Sequence, residues 1–297
     1  MINIFGQSKT ALIKSNLFFL LMMAFILLPF IKAVGQSSSP ELIKKWETDT
    51  TIRTPESVLW DARGKFFYVS NINGKGDAKD GNGFISKLGA DGKILKLHWV
   101  DGLDAPKGMG MYNGELFAAD LAQLVIIDIA KNKIKEKIVV PGASFLNDIV
   151  TDDQGNVYIS DSRTDKVYRY YKGKVSLYIE DPLIKGANGL LVWHNLLWIL
   201  SSRGICQYNP ADKSLRLFSD AVKSGDGITI VNDNDLIVSR WQGEVYYVKP
   251  DGSASKILDV KAEHKNTADL FFLREKQLLV IPTFNGNRVM GYALRNR

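Results

Sequence analysis

Ser224-Gly225-Asp226-Gly227-Ile228-Thr229-Ile230-Val231 is a polar turn that runs straight into a short apolar segment, and the arrangement recurs along the chain. Its counterparts are Thr54-Pro55-Glu56-Ser57-Val58-Leu59-Trp60, Pro106-Lys107-Gly108-Met109, Leu146-Asn147-Asp148-Ile149-Val150, Ala187-Asn188-Gly189-Leu190-Leu191 and Ala268-Asp269-Leu270-Phe271. Successive starts lie roughly 40 residues apart, apart from a longer first interval, and each unit holds several strand-type segments, which is the signature of a propeller blade. Six starts predict an all-β, six-bladed β-propeller. The innermost strand of each blade lines a central channel, so one polar residue at the same place in each repeat makes a ring of Glu56, Lys107, Asn147, Asn188, Asp226 and Asp269. A strand buried on both faces otherwise favours apolar residues.

A second strand follows each channel residue after a tight turn, as in Lys65-Phe66-Phe67-Tyr68-Val69, Glu115-Leu116-Phe117-Ala118 and Leu196-Leu197-Trp198-Ile199. The turns carry suitable chemistry in Asp61-Ala62-Arg63-Gly64, Asn113-Gly114 and Asp153-Gln154-Gly155. The long first interval contains a Gly-rich insertion, residues 71–83, which either lies over a channel mouth or is a solvated loop. It lacks the regular ligand spacing and terminal Glu of an EF-hand. After Asp269 the chain has room for three strands, so Glu41-Leu42-Ile43-Lys44-Lys45-Trp46-Glu47 is expected to supply the fourth and close the ring.

The organisation expected is a signal peptide over 1–35, a linker and closing strand over 36–49, and the propeller over 50–297. Lys9 and Lys14 precede an apolar run from Leu17 to Ile31, and Ala33-Val34-Gly35 supplies small residues for cleavage. The run is short for a membrane span of roughly 20 residues. A secreted or periplasmic protein is expected, with an uncleaved N-terminal anchor as the alternative, no membrane association after signal removal, and a monomer.

The net charge of +6 falls to +3 without that leader, which carries Lys9, Lys14 and Lys32 and no acid. The remaining basic residues are interspersed with acids and form no patch of the kind nucleic-acid binders use. Cys206 has no partner for an intramolecular disulfide and lies in an alternating strand segment, where a free Cys is a small buried hydrophobe. Gly108 to Gly114 is too long for a dinucleotide fingerprint, no G-x-S-x-G elbow occurs, and His98, His194 and His264 show no metal spacing. Trp60, Trp198 and Tyr246 are expected to pack between blades.

Glu56, Asn147, Asn188 and Asp226 ligate through oxygen, which suits a hard divalent cation. Ca²⁺ is expected first, with Mg²⁺, Mn²⁺ or Zn²⁺ as alternatives. Such an ion polarises a carbonyl or phosphoryl oxygen, and Asp226 would serve both as ligand and as the base orienting a water. On Pro55-Glu56 with Trp60, Asn147-Asp148, Asn188-Gly189-Leu190 and Asp226-Gly227-Ile228, residues 50–295 resemble the family of senescence marker protein (regucalcin), gluconolactonase and luciferin-regenerating enzyme. The resemblance implies a six-bladed propeller with a metal held by Glu56, Asn188 and Asp226. It also implies that Asn147 holds metal or substrate and that Asp226 is the general base in lactone hydrolysis. With Asn147, the residues expected to face a small-molecule substrate are Lys107, Phe145 and Asp269. Phe145 stands where lactonases of that family often carry a substrate-binding Arg, and Ile149 where they tend to have Gly. The Lys107 ammonium is expected either to compete with the cation by pairing with Glu56 or to leave it room. The alternative function is a non-catalytic propeller whose channel is closed by ion pairs of Lys107 with Glu56 or Asp269 and whose rim binds a glycan, peptide or protein.

Overall fold

The computed structural model describes residues 1–2 and 39–295. The expected signal peptide, apart from Met1 and Ile2, and the start of the linker lie outside the described residues. Among the described residues, no helix is long and apolar enough to cross a membrane. The strands form six four-stranded antiparallel sheets, five in sequential order and the sixth joining the first strand to the last three. Blade 1 is Pro55–Asp61, Phe66–Asn71, Gly83–Gly89 and Ile94–Leu103; blade 2 is Pro106–Tyr112, Glu115–Asp120, Gln123–Asp128 and Lys133–Val139. Blade 3 is Leu146–Thr151, Val157–Asp161, Lys166–Tyr171 and Lys174–Glu180; blade 4 is Leu190–Trp193, Leu196–Ser201, Gly204–Asn209 and Ser214–Ser219. Blade 5 is Ile228–Ile230, Leu236–Arg240, Glu244–Val248 and Ala254–Asp259. Blade 6 is Phe271–Leu273, Leu278–Pro282 and Val289–Arg295, completed by Glu41–Glu47.

Side chains alternate across a strand, so a strand buried on both faces sends every second residue to each neighbouring blade. The second strands show this directly. In blade 2, Leu116 and Ala118 pack with Tyr68 and Ile85 of blade 1, while Phe117 and Ala119 pack with Leu146 and Ile159 of blade 3. In blade 4, Leu197 and Ile199 face Tyr158 and Val167, and Trp198 and Leu200 face Ile228 and Val238. Blade 6 meets blade 5 through Leu279 and Ile281 and blade 1 through Leu278 and Val280. The core is therefore a ring of wedges between sheets rather than one central mass. Burial of apolar area at about 25 cal/mol per Å² holds it together without a disulfide, since Cys206 is buried and free.

Closure is by the expected strand. Leu42 pairs with Leu294 and Glu47 with Met290. Trp46 lies against Gly291, where an added Cβ would overlap the indole, and its Nε1 donates to Ala90 O at 3.0 Å. Glu47 accepts from Lys265 and Arg288 at 3.1 and 3.2 Å. Blade 6 thereby reaches four strands like the other five, with Glu41–Glu47 as its outer strand.

The inner strands are pinned by their neighbours. Asp120 Oδ1 and Oδ2 accept from the N–H groups of Ala105 and Asp104, Asp161 accepts from Ser144 and Phe145, and Asn71 Oδ1 accepts from Arg53. Those residues shortly precede Glu56, Lys107 and Asn147, so the end of each second strand fixes the approach to the channel. At Glu56, Lys107 and Asn147 the register to the second strand shifts, a β-bulge that leaves an N–H without its ladder partner. Ser70 and Ser160 hydroxyls accept those of Ser57 and Asp148, both at 2.9 Å.

Candidate functional site

Three of the six channel residues, Glu56, Lys107 and Asn147, occupy the second position of their inner strands. Asn188, Asp226 and Asp269 instead lie two residues ahead of theirs, so the ring is built partly of loop entrances and not wholly of strands. Five of the six line one cavity of about 300 Å³: Glu56, Lys107, Asn147, Asn188 and Asp226, with Gly76, Phe145, Trp241 and Phe284. Asp269 is not among the lining residues. Its carboxylate accepts from Ser57 Oγ at 2.5 Å and from Leu270 N at 2.7 Å, while its own N–H donates to Glu56 O at 3.1 Å. It acts at the seam between blades 6 and 1.

Close packing of the inner segments depends on glycine. A Cβ on Gly227 would stand 2.6 Å from Asp269 Oδ1, and one on Gly189 would overlap Asp226 O. The dipeptides Asn188-Gly189 and Asp226-Gly227 thus combine a polar group for the cavity with the space for the next blade to approach.

Asn147, Asn188, Asp226 and Lys107 are each held by a named partner. Asn188 Nδ2 donates to Asp226 Oδ1 at 2.9 Å. Ser162 Oγ donates to Ala187 O at 2.7 Å and accepts from Asn147 Nδ2 at 2.9 Å, which commits the Asn147 amide nitrogen and leaves its oxygen as the open acceptor. Lys107 Nζ donates to Ala105 O at 3.1 Å and to Gly76 O at 2.9 Å, and lies 4.3 Å above the Phe145 ring. Among the described residues it makes no ion pair with Glu56 or Asp269. The insertion lies at the channel mouth through Gly76, one of the two placements its composition allows. Glu56 is 5 % exposed, and its Oε2 has no hydrogen-bond partner.

That set of charges is poorly balanced. Burial pushes the Glu56 carboxyl well above its ordinary range, helped by the charges of Asp226 and Asp269 and opposed by Lys107. Burial and Asp269 push Asp226 up to about 7, against the Asn188 amide. Asp269 is pushed up to about 6 by burial, against its bonds from Ser57 and Leu270. Asp148, whose oxygens accept from Leu190 and Ile149 N–H at 2.6 and 2.7 Å, is raised by burial and by Asp269. Burial lowers Lys107 against the pull of Glu56 and Asp120.

The fit to a divalent cation rests on the donors. Glu56 Oε2 lacks a partner, and the Asn147 and Asn188 oxygens are uncommitted, which makes an oxygen set suited to a hard ion. Among the described residues no three carboxylate, imidazole or thiolate groups gather as a metal cluster, so the amide oxygens would be needed to complete coordination.

Trp241 and Phe284, whose rings meet edge to face at 5.7 Å, line the cavity without having been expected there. Trp241 follows the second strand of blade 5 directly, and Phe284 lies two residues beyond that of blade 6. The signal available was their place at the channel end of the repeat, where an aromatic residue is not needed for packing between blades. His264 is exposed on a turn and His194 stacks on Trp193 at 4.7 Å, so neither reaches the cavity. Cys206 Sγ contacts Leu183 O and Ser201 Oγ at 3.7 Å, and burial raises its thiol pKa, leaving an inert packing residue.

No protein-family model matches the sequence, and no curated protein matches it. Solved structures do. A gluconolactonase from Xanthomonas campestris is 15% identical with a TM-score of 0.63, over 87% of this chain and 96% of that one. A luciferin-regenerating enzyme is 14% identical with a TM-score of 0.62, over 87% and 98%. A virginiamycin B lyase from Staphylococcus aureus is 12% identical with a TM-score of 0.60, over 86% and 99%. The fold that the sequence resemblance implied is the fold these proteins share with this chain.

Proposed function

We propose, from the propeller fold held in common with lactonase-like enzymes, that this chain is an exported, divalent-metal-dependent hydrolase of a lactone or related cyclic ester. The observation that carries the proposal is the partnerless Glu56 Oε2 in a cavity that also receives Asn147, Asn188 and Asp226. Those four side chains would hold the ion, Ca²⁺ first by their all-oxygen chemistry. When bound, the ion supplies Lewis-acid polarisation of the ester carbonyl and a lowered pKa for a coordinated water.

The chain's own residues supply the rest. Asp226 borders the cavity and its carboxylate is placed to accept the proton of the attacking water, with the Asn188 amide fixing its orientation. The water oxygen bonds to the acyl carbon and its proton passes to Asp226. The ring C–O bond then breaks, and the departing alkoxide takes the proton. Phe145, Trp241 and Phe284 give the cavity an apolar wall that packs the ring of the substrate and excludes water. The alternative of a channel shut by ion pairs is disfavoured because Lys107 is bonded to two backbone carbonyls.

Calorimetry of the metal-stripped protein with Ca²⁺, Mg²⁺, Mn²⁺ and Zn²⁺, followed by a lactone and ester panel at neutral pH, tests this. Binding that Asp226→Asn abolishes together with turnover is expected. Absence of any ion binding removes the mechanism. Sequencing the N-terminus of the mature protein tests export, with cleavage close to Gly35 expected.

A further inference from the structure

The Gly-rich insertion that follows the second strand of blade 1 is tied down at its stems. Ile72 N donates to Thr54 O at 3.1 Å and Asn73 N to Arg53 O at 3.2 Å, while Gly81 N donates to Asp104 Oδ1 at 3.0 Å. Asn73 Nδ2 donates across the base to Asn82 O at 3.1 Å, and Ala78 N folds the tip onto Lys75 O at 3.1 Å. Ends brought together around a self-bonded tip make a compact Ω-type loop. Asn73 and Gly81 flank that tip with φ of 55° and 69°, and a Cβ on Gly81 would meet nothing within 4 Å. A hinge rotation is absorbed at such uncrowded loop positions.

The tip is held to the blades far more sparsely. Among the described residues, the one hydrogen bond that residues 74–80 make outside the loop is Gly76 O accepting from Lys107 Nζ at 2.9 Å. Beside it, a Cβ added to Gly76 would stand 3.9 Å from the Phe284 ring. Lys107 is itself only 2 % exposed and is anchored through Ala105 O and the Phe145 ring. Its ammonium makes the bond to Gly76 a charge-assisted one, stronger than a bond between neutral groups. Gly76 stands in the wall of the channel cavity, and the polar groups of that cavity are nearly shut off, with Glu56 and Asp226 each 5 % and Asn147 8 % exposed.

We propose that residues 74–80 are a lid on the channel cavity and that Lys107 is the positioning residue that latches it. Closed, the lid keeps bulk water from the polar ring. Open, it turns about Asn73 and Gly81, breaks the bond from Lys107 to Gly76 and admits the substrate to Glu56, Asn147 and Asp226. The inference rests on the reading of that cavity as the binding site, and it is tested with neither ion nor lactone.

The test is thiol alkylation by iodoacetamide. Asn147→Cys places a thiol in the cavity, and Cys206, buried between blades 3 and 4, is the internal control, each read by peptide mass spectrometry. The introduced thiol is expected to react slowly, and about tenfold or more faster once Lys107→Met removes the latch. Lys107→Arg, whose guanidinium still donates to a carbonyl, is expected to restore the slow rate. Loss of the ammonium alone would raise the thiol pKa and slow the reaction, so the sign of the change separates an opened lid from an altered field. Replacing residues 74–80 by Gly-Gly is expected to give the fast rate whatever stands at position 107. The proposal is overturned if Lys107→Met leaves the rate unchanged, if Lys107→Arg reacts as fast as Lys107→Met, or if Cys206 accelerates in step, which would mean a loosened fold. Any of these, with cation binding intact in calorimetry, removes the lid and leaves the hydrolase reading standing.

Discussion

The residue on which the channel turns is Asp226. It accepts the Asn188 amide at 2.9 Å, borders the cavity and is held near neutrality by burial and by Asp269. Asp226→Asn keeps the size and one acceptor but removes the charge, so it is expected to abolish cation binding in calorimetry and to lower lactone turnover by about 10²–10⁴-fold. Gly227 beside it does different work. A methyl group there meets Asp269 Oδ1 and Leu270 N, both at 2.6 Å, and the second contact is backbone that cannot rotate away. Gly227→Ala is therefore expected to cost about 1–3 kcal/mol in a denaturant melt.

At the scale of elements, the strand Glu41–Glu47 is what closes the ring. It joins the N-terminal part of the domain to Val289–Arg295 and seats Trp46 against Gly291 and Gly92. Trp46→Ala is expected to destabilise by about 3 kcal/mol in denaturant melts, and deletion of residues 36–47 to expose a free edge and produce concentration-dependent association in sedimentation. This strand was legible in the sequence because the last repeat runs out of chain one strand early. The inner strands were legible too, since a polar residue set before a two-sided apolar run, six times over, marks the entrance to a shared channel. The loops that follow the second strands were not. Trp241 and Phe284 carry no periodic signal, and only the closed ring brings blades 5 and 6 opposite Phe145. Nor did Asp269 betray that its carboxylate turns to Ser57, because that bond crosses the seam between the two ends of the domain. Lys107 likewise reads as a charge facing Glu56, until Gly76 of the inserted loop is seen to accept from its ammonium.

At the scale of the whole molecule, the channel stores electrostatic strain that depends on pH. Glu56, Asp148, Asp226 and Asp269 all have folded pKa values above those of an unfolded chain, where carboxyls titrate near 4. An acid whose pKa is raised on folding binds its proton more tightly in the native state. Its contribution to stability is complete below about pH 4 and is lost as pH rises through the folded value. For Asp269 and Asp226 that loss runs to about 6 and about 7. Carboxyls lowered by lysine partners, such as Glu47 and Glu244, act in the opposite sense, but their contribution is already fully present by about pH 5. Between pH 5 and pH 8 the channel therefore dominates. The metal-stripped protein is expected to melt at a lower temperature at pH 8 than at pH 5, by on the order of 5 °C for each 1–2 kcal/mol lost. Asp226→Asn removes one of the buried charges and is expected to flatten the slope. A divalent ion binds the ionised carboxylates, so Ca²⁺ is expected to raise the melting temperature strongly at pH 8 and weakly at pH 5. Scanning calorimetry across that range, with and without the ion, checks all three outcomes. A melting temperature that rises steadily from pH 5 to pH 8 in the stripped protein would mean that the four carboxyls do not share one unrelieved field.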